Sequence, residues 1–200
     1  DYITLLHKDN GGAASARNYG ANIAKTKVLA FLDADDMWLE DKMALQLELI
    51  NNNYSAAATL YNPVPNWARA ISKANILSLT FNKQLFRNHV QTSTFVVTKS
   101  LFDLVGGFPE GQTHAEEGDL YFKILNYVNI SIICFPLVIY GNGSNTFNLT
   151  GLSGNIVKMH KGELLNLKRL KSRLQIGQSK YISLCIFSYL KFAIRYCRRH

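Results

Sequence analysis

Two hundred residues, 48% of them apolar, suffice for one domain with a sizeable core and argue against a disordered chain. The formal net charge of +8 is unevenly placed: residues 157–200 hold eleven Lys and Arg against one acid, while the other 156 residues hold eleven against thirteen. Basicity confined to one end argues against a nucleic-acid module, and three scattered cysteines (Cys134, Cys185, Cys197) argue against a disulfide framework or zinc site and fit a reducing compartment.

In chain order, Tyr2–Leu6 reads as a short buried strand and residues 7–12, HKDNGG, as a loop. Ser15 is a candidate N-cap for a helix running to about Ala24. Val28–Leu32 is an apolar strand that ends in the acids of DADD, residues 33–36. Leu39, Met43, Leu47 and Ile50 give helical spacing as far as Asn51, and Ala56–Tyr61 reads as a strand. Residues 62–92, with Pro63, Pro65 and Trp67, show no clean period. Then come a strand at Thr94–Val97, a helix at Lys99–Val105, the turn GGFPEG and a helix at Glu117–Tyr127. Ile130–Phe135 and Leu137–Tyr140 read as strands separated by Pro136. The ten-residue run YISLCIFSYL is too short to span a bilayer, and the opening DYITLLHKDN is unlike a secretory leader. Four N-x-[ST] matches, such as Asn142-Gly-Ser144, matter only in a secreted protein.

Strands alternating with helices imply an α/β layer with a mostly parallel sheet, whose ligand crevice lies beyond the strands' carboxyl ends. DADD is placed there. One reading of the acids is a turn, with Asp36 as the N-cap of the helix near Leu39. Asp33 and Asp35 bracket one residue and reach one small volume, where their repulsion invites a divalent cation. Mg²⁺ or Mn²⁺ prefers one or two carboxylates completed by phosphate oxygens.

Three elements stand in order: Asn10-Gly11-Gly12, then Ala16-Arg17-Asn18-x-Gly20, then Phe31-Leu32-Asp33-Ala34-Asp35-Asp36. Downstream, VGGFPEGQTHAEEGDLYFKI supplies a Gly-Gly-Phe turn and an acidic pair at a helix start. Together they resemble the two signatures of family 2 glycosyltransferases, inverting sugar transferases of GT-A fold. The resemblance covers most of residues 1–140. It implies a Rossmann-like sheet sandwiched by helices, a nucleotide-sugar donor (a UDP-sugar foremost), and Mn²⁺ or Mg²⁺. It implies that Asp33 lies near ribose and metal, that Asp35 holds the metal on the diphosphate, and that Arg17 reaches the nucleotide. Asn18 and Gly20 would support loop–helix packing, and Trp38 would belong to the core. An acceptor hydroxyl would attack the anomeric carbon while a carboxylate takes its proton.

The family's usual acidic pair is Glu-Asp, whereas this chain has Glu116-Glu117. Glu117 stands at the base position with one more methylene, and Glu116 and Asp119 remain alternatives. A helix start collecting acids for its dipole is the other reading, and His114 beside it reads as a surface-loop residue. Family members begin with a strand–helix–strand unit that carries much of the nucleotide pocket. Nothing here supplies those roughly 30 residues, so residues 1–155 read as the back portion of a transferase domain.

Residues 156–200 read as a basic helical tail, with Leu164, Leu167, Leu170 and Leu174 on one face of its first helix. In its second helix Ser188, Lys191 and Arg195 form one stripe, and Ile182, Ile186, Tyr189 and Phe192 form another. Two readings stand: peripheral contact with an anionic membrane, or packing on the domain with the charged side exposed. The expected role is sugar transfer to a glycan or lipid-linked acceptor in bacterial surface polysaccharide (O-antigen or capsule) synthesis. Its expected place is the cytoplasm, at or near the inner face of the plasma membrane, with no nucleic-acid partner. The alternative is a truncated or degenerate transferase acting as a non-catalytic partner-binding subunit.

Overall fold

The computed structural model describes residues 3–65, 68–69, 76–141 and 154–198. Trp67 and the Asn142–Ser144 sequon lie outside them. The elements are α1 (Gly12–Ile23), β1 (Val28–Ala30), β2 (Met37–Trp38), α2 (Lys42–Asn51), β3 (Ala56–Asn62), β4 (Ile76–Leu79), α3 (Phe81–Gln84), a 3-10 turn at Thr92–Thr94, β5 (Val96–Thr98), α4 (Lys99–Leu104), α5 (Glu116–Ile124), β6 (Ile130–Ile139), α6 (Ile156–Ser172) and α7 (Gln178–Cys197).

The strands form one sheet in the order β1-β5-β3-β6, and the far edge of β6 takes β4 on its first half and β2 on its second. Only β3 and β6 run parallel; the other four pairings are antiparallel. The sheet is therefore mixed rather than mostly parallel. Alternation of strand and helix fixes direction only where consecutive strands lie side by side, and here β5 inserts between β1 and β3.

Pro136 does not break β6. The ladder instead jumps from Thr59↔Ile133 to Leu60↔Pro136, so the missing N–H falls at an irregularity. Residues 3–6 form no strand, and Ile3 and Leu5 are exposed. A strand exists through its ladder, and among the described residues none offers these a partner. The first helix begins at Gly12, not after Ser15. Asn10 Oδ1 accepts the Gly12 N–H at 3.0 Å, and Gly12 takes φ +80°, where a side chain would be strained.

The main core lies between the sheet, α1, α4 and α5, and is dominated by Phe31, Phe95, Phe102, Phe108 and Tyr121. Phe31 contacts Phe102 and Phe108 at ring-centroid distances of 5.6 and 5.2 Å, fixing the end of the strand that carries the acid cluster. A second cluster joins α5 to the tail through Leu85, Phe122, Leu167, Leu170, Ile176 and Leu184. Leu174, expected on that apolar face, lies beyond α6 with φ +58° and is almost fully exposed.

Asp119, 1% exposed, accepts two bonds from Arg173 at 2.9 and 3.1 Å and so pins α6 to α5. Gly162 of α6 sits so close to residue 114 that a Cβ there would lie 2.1 Å from its carbonyl oxygen.

The second tail helix is turned the opposite way from the packed, charge-out reading. Ser188, Lys191 and Arg195 face inward onto Glu163 of α6 at 3.1, 3.4 and 2.9 Å. Ile182, Ile186, Leu190 and Ile194 face outward and are exposed, while Tyr189, also exposed, sets its ring against His160. Phe192 leaves its predicted stripe to stack on His160. No helix among the described residues is long and apolar enough to cross a membrane.

Candidate active site

The acids of residues 33–36 follow β1 in a turn closed by the Asp36 N–H on the Asp33 carbonyl at 3.1 Å. Asp33 is half-buried and Asp35 is exposed. Asp36 has a different task from the expected N-cap. Its Oδ1 accepts the Gly141 N–H at 2.8 Å, tying the turn to the far end of β6, while α2 starts only at Lys42. Burial raises the Asp36 pKa against the two bonds that lower it.

Arg17, on α1, joins the two sequence signatures. Its guanidinium donates to Asp33 Oδ1 at 2.5 Å and to Glu116 Oε1 at 2.9 Å. Burial works against its charge, and the two carboxylates more than offset that, so its pKa is raised. The reach is possible because α1 is locked to the Gly-Gly-Phe turn. Asn18 exchanges two bonds with the Phe108 backbone, both at 2.9 Å, and a Cβ on Gly107 would collide with Asn18. Gly20, expected to permit close packing, has open space where its Cβ would be.

Glu116 and Glu117 open α5. The residue before them, Ala115, takes the left-handed conformation at φ 56°, held by Asn166 donating to its carbonyl at 2.8 Å. Glu116 turns toward Arg17. Glu117 accepts from Asn88 Nδ2 at 3.1 Å, and burial first, then the adjacent Glu116 charge, pushes its pKa up to about 7. A carboxylate at that value exchanges protons near neutrality. Asp119, committed to Arg173, turns away from this group, and His114 is buried under α6 with its Nδ1 2.9 Å from Thr113 Oγ1 rather than on the surface.

The family model described as glycosyl transferase family 2 matches residues 1–102. The chain belongs to this family. It is 33% identical over 153 residues to an uncharacterized glycosyltransferase of Rickettsia conorii, covering 72% of this chain and 25% of the relative. It is 32% identical over 123 residues to the Escherichia coli UDP-Glc:alpha-D-GlcNAc-diphosphoundecaprenol beta-1,3-glucosyltransferase WfgD, covering 61% and 47%. The chain thus spans from a quarter to about half the length of these relatives. The mannosyltransferase PcManGT of Pyrobaculum calidifontis, solved with GDP-Man and Mn²⁺, superimposes with a TM-score of 0.61 at 16% identity, over 94% of this chain and 52% of that one. The fold is accordingly of GT-A type.

Several contacts of this family 2 site were not visible in sequence. Ser93 Oγ accepts the Asp33 N–H at 2.9 Å, and Trp38 Nε1 donates to the Ser93 carbonyl at 2.7 Å. Behind them Lys42 is fully buried with no carboxylate among its described partners. Its ammonium lies 4.2 Å from the Trp38 ring centroid and donates to Gln46 at 2.7 Å, and Gln46 holds the Thr94 carbonyl. Asn88 is the other omission. Ser93 and Asn88 are single polar residues with no motif around them, whereas the Lys42–Gln46 spacing of four within α2 is a helix-face signal that sequence alone supplies.

Proposed function

We propose that the chain takes part in inverting transfer of a sugar from a nucleotide-diphosphate sugar to an acceptor hydroxyl. The observation that carries this reading is Arg17 bonding both Asp33 and Glu116, beside Glu117, so that the donor and base signatures meet across one guanidinium. The acceptor oxygen forms a bond to the anomeric carbon as the bond from that carbon to the diphosphate breaks. The electron pair of the broken bond leaves with the diphosphate, and Glu117 takes the hydroxyl proton. Asn88 orients the Glu117 carboxylate, and Arg17 keeps Glu116 from competing as base.

Asp33 and Asp35 are two hard oxygen donors in one turn, which suits Mn²⁺ or Mg²⁺ completed by diphosphate oxygens. A divalent cation bound there supplies Lewis acidity toward the leaving group. The name of the Escherichia coli relative supports a UDP-sugar as donor, a lipid-linked saccharide as acceptor and a place in surface polysaccharide synthesis. The charge of residues 157–200, with the outward apolar side of α7, supports peripheral contact with an anionic membrane.

The test is titration of the full chain with UDP, with and without Mn²⁺, alongside transfer assays on UDP- and GDP-sugars. Binding that needs Mn²⁺ and is lost in Asp35→Asn, with transfer lost in Glu117→Gln, is expected. Absence of Mn²⁺-dependent UDP binding overturns the donor assignment. Binding without transfer favours the non-catalytic alternative.

A further inference from the structure

Of the three carboxylates in residues 33–36, the protein engages two. Asp33 bonds Arg17, and Asp36 accepts the Gly141 N–H. Asp35 is exposed and, among the described residues, accepts no hydrogen bond and enters no ion pair. Its direction is therefore set by the backbone of the turn. One backbone bond, from the Asp36 N–H to the Asp33 carbonyl at 3.1 Å, closes that turn. A single such bond facing solvent is too weak to fix a carboxylate by itself.

The rest of the hold comes from one residue outside the turn. Ser93, fully buried, takes the Asp33 N–H on its Oγ at 2.9 Å and the Trp38 indole N–H on its carbonyl at 2.7 Å. Burial raises the Asp36 pKa, and the same hydroxyl works against that rise. Ser93 thus grips the first acid of the turn, its last acid and the strand beyond it. It is itself held in place. Gln46 donates to the neighbouring Thr94 carbonyl at 2.9 Å, Lys42 donates to Gln46, and the Thr94 hydroxyl bonds the Gln91 carbonyl. Alanine at position 93 would leave the Asp33 N–H without its acceptor.

We infer that Ser93 is the positioning residue of the carboxylate turn. By holding residues 33–38 at both ends it fixes where Asp35 points, and so how tightly a divalent cation carrying a diphosphate is held. The inference rests on the donor reading above for what Asp35 binds; the grip on the turn is independent of it.

The experiment measures UDP affinity of the full chain in saturating Mn²⁺ by calorimetry, and exchange of the Asp33 amide by NMR in EDTA. Ser93→Ala is expected to weaken UDP about tenfold and to speed Asp33 exchange about tenfold or more. Ser93→Thr, which keeps the hydroxyl, should return both to within about threefold of wild type. Thr94→Val removes a hydroxyl that, among the described residues, bonds only the Gln91 carbonyl. It should lower the thermal midpoint as Ser93→Ala does, yet leave UDP affinity within about twofold. If Ser93→Ala does not fold, Trp38→Phe takes its place: it deletes the bond to the Ser93 carbonyl, keeps an aromatic ring and should weaken UDP about threefold. Three results each overturn the inference: unchanged UDP affinity in the folded variant, an equal loss in Thr94→Val, or no recovery in Ser93→Thr. Should the wild type itself fail to bind UDP with Mn²⁺, the donor reading falls and the Asp33 amide decides. Faster exchange in Ser93→Ala but not in Thr94→Val then keeps Ser93 as the residue that fixes the turn, and any other pattern removes it.

Discussion

Lys42 gives the sharpest quantitative test. Replacing it with Met keeps the length of the side chain and removes its charge from a site that contains one amide oxygen and one indole face. Burial lowers the Lys42 pKa from 10.5 to about 7, which corresponds to on the order of 5 kcal/mol. The Trp38 ring returns about 1–2 kcal/mol of that to the charged form, leaving roughly 3 kcal/mol. The sign follows from proton counting. Between the two pKa values the unfolded chain binds a proton that the folded chain lacks, so stability is low near pH 7 and rises toward pH 10, at up to about 1.4 kcal/mol per pH unit. Urea unfolding from pH 6.5 to 10 checks this in both proteins. Subtracting the Lys42→Met profile cancels the other titrating groups. The difference is expected to climb by about 3 kcal/mol in favour of the wild type as pH rises. A difference that stays level would refute the idea that this lysine is held in an unfavourable charged state.

The other predictions concern the remaining buried charges and the seat of the tail. Arg173→Met strips Asp119 of its bidentate partner and leaves Arg169 and Lys123 at 4.0 Å. A loss of about 2–4 kcal/mol is expected in denaturant unfolding, together with faster hydrogen exchange in α6. Glu117→Gln is expected to lower turnover by about 10²–10⁴-fold, and wild-type kcat/KM should rise with pH through about 7. The same substitution should stabilise the fold at pH 8, because a carboxyl with a raised folded pKa loses its contribution as pH rises through that value. Gly162→Ala forces a methyl onto the carbonyl of residue 114. A cost of about 1–3 kcal/mol or more is expected from calorimetry, with the β-sheet signal in circular dichroism retained.

How far the sequence could be read depended on whether the deciding partner was local. Apolar runs located β1 and β3 to within two residues, because burial of a strand is written in its own side chains. Sheet direction was not readable, since β5 reaches its place between β1 and β3 through contacts far apart in the chain. The motif residues Arg17, Asp33 and Glu116 were legible as candidates, yet their joining at one guanidinium was not. The period of α7 revealed two faces without saying which turns inward. That choice belongs to Glu163, a single acid on another helix that gathers Lys191 and Arg195 and leaves the isoleucines outside. His114 was misread for a similar reason: its loop looks polar, and it is α6 that covers it.

The guanidinium of Arg17 has further reach than its two bonds. On the proposed reading of the site, one positive charge divided between two acids makes the base strength of Glu117 a function of donor occupancy. If a nucleotide phosphate draws that charge toward itself, Glu116 loses its counterion, and its neighbour Glu117 then grips a proton more firmly. Filling one half of the reaction centre would thereby reset the affinity for hydrogen in the other, with no movement of the backbone required.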